Sequence, residues 1–242
     1  SFVKDNVRDF YNTGTEYNNT ISLSGGSDIT SFYFSYGNVT SDGVLPTQSD
    51  YLQRNTFALR TNSKFNNFTL NSSFNYINKK INAPYTGQAG SDGASLFSEI
   101  LQIPVDIKIS DLRDYKNKFF NVDNYYTPFA ENPYYPLYEN LNTQNSDRFF
   151  GNLEAGYKFT NELTAQLRIG GDFTNARTFG YKAVNAPAPG SWNAGTNPEG
   201  QSRAPDVGSV SELNNHLDVI NGDFILKYSK NLGSDFSIEA LA

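Results

Sequence analysis

The sequence contains no cysteine, no methionine, one histidine and one tryptophan in 242 residues. Without cysteine there is no disulfide framework, no thiolate metal site and no thiol nucleophile. His216 alone cannot form a histidine cluster for zinc and leaves little basis for a catalytic triad. The glycine pairs at 25–26 and 170–171 do not have the spacing of a phosphate-binding loop. We therefore expect no catalytic residue, no metal, no cofactor and no enzymatic activity.

Long apolar runs and an excess of positive charge are also missing. No stretch of 18 apolar residues occurs, which argues against a helical membrane span. The net charge of −6 offers no broad basic surface, so nucleic acid is not an expected partner. Aromatic residues, in contrast, make up 15% of the chain. The low mean hydropathy is compatible with a membrane barrel, because half of each barrel strand faces a polar lumen.

Residues 147–173 alternate apolar and polar side chains through two long arms joined by a turn at 160–162. In the second arm, for example, Leu167 falls on the apolar face and Arg168 on the polar face. Side chains alternate across a strand, so this stretch predicts a hairpin with one apolar and one charged face. Each arm has the roughly 9–11 residues that a tilted strand needs to cross a bilayer. Strands of soluble proteins are usually shorter, at about 5–6 residues.

The same alternation marks six further strand segments, and the connections between strands follow a regular order of lengths. Short turns at 25–28, 65–67, 160–162 and 231–235 alternate with long connections. The long connections are 39–51, 79–146 and 175–216, and residues 1–16 form a further loop. Outer-membrane barrels keep short turns on the periplasmic side and long loops outside. The chain is therefore predicted to be all-β, with about eight strands of an antiparallel up-and-down transmembrane β-barrel.

Two local features are predicted within this pattern. Residues 217–220 do not fit the alternation ahead of the seventh strand, which indicates a β-bulge. Within 79–146, Asp92 is a suitable N-cap for a short helix over 93–103. The helix and the aromatic residues that follow it favour an ordered lobe at the barrel mouth over a disordered loop.

The alternation assigns side chains to two faces. The apolar face, expected to point to lipid, holds Ile21, Phe34, Leu59, Leu70, Leu153, Leu167 and Leu226. The polar face, expected to point to the lumen, holds Arg54, Arg60, Lys64, Arg148, Glu154, Lys158, Gln166, Arg168 and Asp172. These polar residues form either a solvated wall in contact with a plug or a lining that selects the substrate, and the pattern leaves both readings open.

The long loops carry the residues best suited to contact a substrate or a partner. These are Tyr125, Tyr126, Phe129, Tyr134, Tyr135, Tyr138 and Trp192. Flat aromatic rings stack on sugars and pack at protein interfaces, but loops that fold over a barrel mouth need the same residues for their own packing. The loop acids Asp42, Asp92 and Asp206 lack the ligand spacing of a calcium loop, so calcium binding is left open.

Several segments also resemble a known family. They are Leu-Ser-Gly-Gly-Ser-Asp at 23–28, Ser-Tyr-Gly-Asn at 35–38 leading to Asp-Gly-Val at 42–44, Gln-Arg-Asn-Thr-Phe-Ala-Leu-Arg at 53–60, Asn-Pro-Tyr-Tyr at 132–135, Glu-Asn at 139–140 and Asp-Arg-Phe-Phe-Gly-Asn at 147–152. In this order they resemble the start of the barrel in SusC/RagA-type TonB-dependent transporters, over about residues 14–175. Beyond residue 175 the likeness is only to barrels in general.

The resemblance implies a barrel of about 22 strands closed by a plug, in the outer membrane of a Gram-negative bacterium of the Bacteroidetes type. All of residues 1–242 would belong to that barrel domain and supply about its second to ninth strands. The plug and N-terminal domains would lie outside this chain, and both ends look cut, as expected of an internal piece. The implied partners are a SusD-like surface lipoprotein, the TonB complex (through parts outside this chain), outer-membrane lipid and a glycan or peptide substrate.

Three functional hypotheses follow. The first is TonB-dependent import of a bulky nutrient with a SusD-like lipoprotein. The second is a standalone outer-membrane barrel that acts as an adhesin or ligand-binding protein. The third is a secreted, β-rich carbohydrate-binding module. Strands of membrane-crossing length and segregated loops favour either barrel over the third hypothesis. The ordered family segments favour the first over the second.

Overall fold

A computed structural model describes residues 2–84, 95–232 and 235–242 of the chain. Within these ranges eight strands form one antiparallel sheet in the order of the sequence, each paired with the next. The strands are β1 Thr15–Gly26, β2 Thr30–Asp42, β3 Tyr51–Phe65, β4 Phe68–Asn82, β5 Leu141–Lys158, β6 Leu163–Lys182, β7 Ser209–Leu232 and β8 Phe236–Leu241. The predicted all-β, up-and-down fold is confirmed.

Within the described ranges, helical structure lies outside the strands. The helices are α1 Leu96–Leu101 and α2 Tyr134–Glu139, with single 3-10 turns at Arg8–Phe10, Gln48–Asp50 and Ile109–Arg113. None of the described helices is long and apolar enough to cross a membrane.

The strands reach further into the long connections than the alternation predicts. β2 continues to Asp42, β4 to Asn82 and β6 to Lys182, and β7 begins at Ser209, where the sequence pattern indicates loop. Backbone pairing continues here although apolar residues no longer keep to one face of the strands. Hydrophobic alternation marks only the part of a strand that has one apolar face, so the ends are invisible to it. The true connections are 43–50, 83–140 and 183–208.

The predicted bulge at 217–220 is wrong. Pairing between β6 and β7 runs without interruption from Lys182↔Ser209 to Leu163↔Tyr228. Leu217 and Val219 simply lie on the face of the polar side chains, opposite Thr174 and Asp172. The apolar pattern ends there because the strand has left its apolar zone, so no extra residue is needed to explain the change.

The register separates the two predicted faces. Leu59 lies between Phe34 and Phe74, and Leu167 lies opposite Phe224 on the same side of the sheet. Every residue predicted to face lipid belongs to this side, and most of them are exposed. An exposed apolar face that extends over all the longer strands is typical of a surface covered by lipid or by another apolar layer.

The main buried core lies outside the sheet. Of the buried apolar residues in the described ranges, only Val39 belongs to a strand. The others form one cluster of Phe10, Leu45, Leu96, Ile100, Ile103, Ile109, Leu112, Tyr125, Ala130, Tyr134 and Leu137. We call residues 2–14, 43–50, 95–140 and 183–208 together the lobe. Its packed core confirms the prediction of an ordered lobe for residues 95–140.

Helix α1 enters this core with Leu96 and Ile100. Its N-cap is Ser95, whose hydroxyl accepts a hydrogen bond from the Ser98 amide at 3.3 Å. The predicted cap, Asp92, lies outside the described residues. Serine satisfies a free amide of the first turn as well as aspartate does, so the sequence offers more than one start for this helix.

Candidate ligand site in the lobe

The aromatic residues predicted to contact a ligand divide by burial. Tyr125 and Tyr134 are 2% and 1% exposed, so their rings belong to the core of the lobe and are not free to stack on a partner. Phe129, Tyr138 and Trp192 are exposed by 66%, 46% and 44%. These three rings are therefore the most accessible of the seven to a large partner, and that role stays a prediction.

Tyr126 and Tyr135 are intermediate in exposure. The Tyr135 hydroxyl donates to the Val184 carbonyl at 2.9 Å and so joins the two longest connections. The Tyr126 ring packs against Tyr125 with ring centroids 4.5 Å apart. Part of the aromatic content of the loops thus serves internal packing, one of the two alternatives that the sequence leaves open.

A buried polar network links α1 to the connection 183–208. The backbone amide of Glu131 donates to the Glu99 carboxylate at 2.7 Å. The Glu131 carboxylate accepts hydrogen bonds from Asn185 and from Arg203, the latter at 3.0 Å. Arg203 also donates to the Ala130 carbonyl at 2.7 Å. Buried charges are stable only when they are paired and hydrogen-bonded in this way.

The surroundings of this network change its ionisation. Burial raises the pKa of Glu99 to about 7, partly offset by the hydrogen bond from the Glu131 amide. Burial also raises the pKa of Glu131, while the Arg203 guanidinium opposes the shift. The pKa of Tyr126 rises to about 12 through burial and the nearby Glu99 carboxylate. Near neutral pH, both the protonated and the ionised form of Glu99 are therefore populated.

Two buried asparagines hold the backbone around the network. The Asn132 amide donates to the carbonyls of Leu112 and Phe120 at 2.8 and 3.1 Å. The Asn193 amide, which is fully buried, donates to the carbonyls of Val122 and Tyr125 at 3.0 and 3.1 Å. Each side chain satisfies carbonyls that a loop cannot pair within itself, so the irregular backbone can be buried.

Beside these supports lies a half-open cavity of about 210 Å³. Rings of Tyr115, Phe120, Tyr125 and Tyr135 form part of its wall, and Glu131 and Arg203 are among its polar lining residues. The Tyr125 hydroxyl and the Nε of Arg203 are buried and have no hydrogen-bond partner in the protein. Buried polar atoms are rarely left unsatisfied. Both atoms have almost no accessible surface, so they lie behind the wall of the cavity and do not face it.

Sequence reasoning misses the polar residues of this site. Glu99, Asn185 and Arg203 are far apart in the chain, and no motif connects them. One signal is visible in retrospect. Glu99 is the single charge within the apolar run of α1, and an isolated acid on a buried helix indicates a buried partner.

The residues predicted to line the lumen share one face of the sheet. The register places Arg54, Arg60, Lys64, Arg148, Glu154, Lys158, Gln166, Arg168 and Asp172 together there. Two ion pairs join β5 and β6, one between Arg168 and Glu154 at 2.7 Å and one between Arg148 and Asp172 at 2.5 Å. The charges within each of these two pairs therefore compensate each other across neighbouring strands. Their contact with a lumen stays a prediction.

The other polar side chains named from the sequence lie apart from the cavity wall. His216 lies on β7, in place of the predicted loop, with its Nε2 at 2.9 Å from Asp218. Asp206 pairs with Lys182, and Asp42 ends β2. Among the residues that the structure describes, no group of three or more His, Cys, Asp or Glu side chains is arranged to hold a metal ion.

Comparison with protein-family models gives no match, and comparison with curated proteins gives none either. Solved structures do match. The RagAB peptide importer in its closed-closed state has a TM-score of 0.69 and 20% identity, over 98% of this chain and 24% of that one. Its open-open state has a TM-score of 0.70 and 21% identity, again over 98% of this chain and 24% of that one. A structure of the RagAB peptide transporter has a TM-score of 0.69 and 20% identity, over 99% of this chain and 25% of that one.

At this level of identity the likeness shows the fold alone. The class of fold is an up-and-down antiparallel sheet that matches a segment of a β-barrel. The particular structures it resembles are those of RagAB, and the chain spans about a quarter of their matched chains.

Proposed function

We propose that this chain is part of an outer-membrane barrel that imports a bulky nutrient with energy supplied through TonB. The observation that carries the proposal is the match of almost the whole chain to about a quarter of the matched chains of the RagAB importers. The exposed apolar face supplies the lipid contact that such a barrel needs, and its polar face becomes the lumen wall. In this role the protein acts as a transporter and has no catalytic residue.

We further propose a surface lipoprotein of the SusD kind as the partner, seated over the lobe. The matched structures are complexes named RagAB, which supports a partner of the RagB kind. The exposed rings of Phe129, Tyr138 and Trp192 are suitable contacts, since exposed aromatic residues are enriched at protein interfaces. The substrate is a peptide or a glycan.

A deletion strain tests the import function. Loss of the gene should abolish uptake of a fluorescent oligopeptide or of a fluorescent oligosaccharide, and the intact gene should restore it. A protonophore should stop the restored uptake, because TonB draws on the proton gradient. Unchanged uptake of both probes in the deletion strain would contradict the proposal. Loss of surface attachment with unchanged uptake would favour an adhesin.

A further inference from the structure

Part of the polar face of the sheet carries positive charge that the chain does not balance. The register places four cations together on this face of β3 and β4, which we call the cationic strip: Arg54, Arg60, Lys64 and Lys79. Among the residues that the structure describes, none of the four forms an ion pair. The strip therefore differs from the same face of β5 and β6, where ion pairs join the two strands.

Two cations of the strip oppose each other directly. Arg54 lies opposite Lys79 in the pairing of β3 with β4. Like charges at opposite positions of a sheet are destabilising, so this arrangement is unfavourable unless an anion lies beside it. Within β1 to β4, the one acid on this face is Glu16, near the start of β1 and two strands away from Arg54. These strands therefore supply no counter-charge to the pair.

The neighbours of the other two cations are uncharged. Arg60 lies between Tyr33 and Ser73, and its guanidinium carbon is 5.9 Å from the centre of the Tyr33 ring. Stacking on a ring orients a guanidinium but leaves its N–H donors free. Lys64 lies opposite Thr69. Both cations can therefore donate to a group from outside the sheet.

The acids on the same face of β5 and β6 already have partners. Glu154 accepts hydrogen bonds from Arg168 at 2.7 Å and from the Asn71 amide at 3.1 Å. Asp172 pairs with Arg148. The cationic strip cannot use these carboxylates without breaking existing pairs, so its counter-charge has to come from a ligand or another part of the protein.

The strip is accessible and long. Arg54, Arg60 and Lys64 are exposed. Arg54 and Lys64 lie about 33 Å apart along β3, from the rise of each residue in a strand. Guanidinium and ammonium groups form strong, charge-assisted hydrogen bonds with anionic oxygens. A small anion reaches one of these cations, whereas a flexible oligomer with several anionic groups reaches more than one at once.

We infer that the cationic strip binds a nutrient that carries several negative charges, an acidic oligopeptide or an acidic oligosaccharide. The inference rests on the proposed function, in which this face lines the lumen, and it names the class of substrate. A channel wall of one sign also raises the local concentration of oppositely charged solutes. The alternative is an acidic segment of the same protein that neutralises the strip permanently, and crosslinking distinguishes the two.

The binding test uses the intact outer-membrane protein that contains this chain, purified in detergent, with isothermal titration calorimetry. The anionic probes are tetraglutamate and trigalacturonate, and their neutral matches are tetraglutamine and the trimethyl ester of trigalacturonate. At least one anionic probe should bind about tenfold more tightly than its match at about 20 mM salt, and the preference should shrink at about 500 mM salt because salt screens exposed charges. Equal binding of anionic and neutral probes, or no binding of either anionic probe, would overturn the inference.

This inference and the proposed function fail separately, because binding is measured without uptake. A protein that binds an anionic probe but imports nothing would contradict only the proposed function. A protein that imports neutral probes and binds no anionic probe would contradict only the inference about the strip.

A matched pair of variants locates the binding. Lys79 and Lys80 are neighbours on opposite faces of β4, and Lys80 is exposed opposite Gln53. Lys79→Gln should weaken binding of the anionic probe about three- to fivefold, and Lys80→Gln should leave it unchanged. Lys79→Gln also relieves the like-charge opposition to Arg54, so it should not impair folding. Equal affinity of the two variants would overturn the assignment.

Carbodiimide crosslinking tests for a permanent counter-charge. The reagent joins a lysine amine to a carboxylate only when the two are in contact. In the ligand-free protein Lys79 should form no such crosslink, and with the anionic probe bound it should link to the probe. A ligand-free crosslink from Lys79 to an acid of the same protein would show that the strip is already neutralised, which would overturn the inference.

Discussion

Arg203 and Glu131 form an ion pair at 3.0 Å that joins the two longest connections of the protein. Their side chains are 16% and 23% exposed, so the pair is shielded from water over most of its surface. The Arg203 guanidinium also donates to the Ala130 carbonyl. Removal of one partner leaves the other charge buried without compensation, which costs more than the loss of an exposed pair.

Arg203→Ala should therefore loosen the lobe. The stability of the lobe should fall by about 2–3 kcal/mol, somewhat less than for a fully buried pair because some exposure remains. This loss of stability should appear as faster hydrogen exchange of the amides in 95–140, because the lobe opens more often. Arg8→Ala is the control, since Arg8 pairs with Asp5 and Asp9 on the open surface. Similar exchange in the two variants would contradict a structural role for the Arg203 pair.

The buried Glu99 predicts a pH dependence of the lobe. Its pKa in the folded state is about 7, above the ordinary value of 4.5, so the folded lobe holds this proton more tightly than the unfolded chain. The resulting stabilisation is fully present below about pH 4.5 and is lost as the pH rises through 7. Exchange rates across the lobe, corrected for intrinsic chemistry, should increase between pH 5 and pH 8, a window set by that pKa.

Glu99→Gln should reduce this dependence, because glutamine still accepts the hydrogen bond from the Glu131 amide but does not ionise. Glu139→Gln is the matched control. Hydrogen bonds from Tyr115 and Lys116 lower the pKa of Glu139. The stability that ionised Glu139 contributes is therefore lost as the pH falls and not as the pH rises. An undiminished slope in Glu99→Gln would assign the effect to another group.

The two faces of β6 predict opposite results for adjacent arginine substitutions. Leu167 lies opposite Phe224 on the apolar face, whereas Gln166 lies opposite Gly156 on the polar face. An arginine that faces lipid at mid-membrane costs about 2–4 kcal/mol. Leu167→Arg should therefore lower the amount of heat-modifiable folded barrel on a gel, and Gln166→Arg should not. Equal losses would mean that the apolar face does not contact lipid.

Deletion of residues 105–130 should separate the lobe from the barrel. It removes Ile109, Leu112 and Tyr125 from the core, but β4 and β5 keep their own pairing from Phe68↔Tyr157 to Asn82↔Thr143. The barrel should still assemble, while co-purification of the lipoprotein or uptake of the nutrient is lost. Retention of both activities would show that the lobe only covers the barrel mouth.

Phe129→Ala is a milder version of the same experiment. The side chain is exposed, so the substitution should leave hydrogen exchange in the lobe unchanged and weaken only the contact with the partner. Tyr134→Ala is the contrasting variant, because removal of a buried aromatic side chain costs about 3–5 kcal/mol and should open the lobe. Unchanged co-purification in Phe129→Ala would exclude this ring from the interface.

The sequence predicts the sheet well because strand alternation is a local property. The position of Leu167 relative to Arg168 already separates the two faces, and the four short turns define the hairpins. The same rule fails at the strand ends, where Arg177 pairs with Glu212 on the face that is apolar further along both strands. No local pattern reveals that pairing continues there.

The structure of the lobe is only partly predictable from the sequence. Its aromatic content and α1 are visible in the sequence, which is why an ordered unit can be predicted. The contact of Glu131 with Arg203 depends instead on how two distant connections meet above the sheet. Long-range packing of this kind has no sequence period, so the buried network and the cavity appear only in three dimensions.

Asn6 gives the lobe a place in the order of folding. Its side chain donates to the Ile107 carbonyl at 2.7 Å and accepts from the Ile109 amide at 2.9 Å, contacts that span 101 and 103 residues of chain. β1 to β4 lie between these partners in the sequence, and they pair through short turns or a connection of eight residues at 43–50. Closing the large loop is entropically costly until the strands have paired and brought its ends together. The lobe therefore forms late in folding, and it forms only after β1 to β4 have paired correctly.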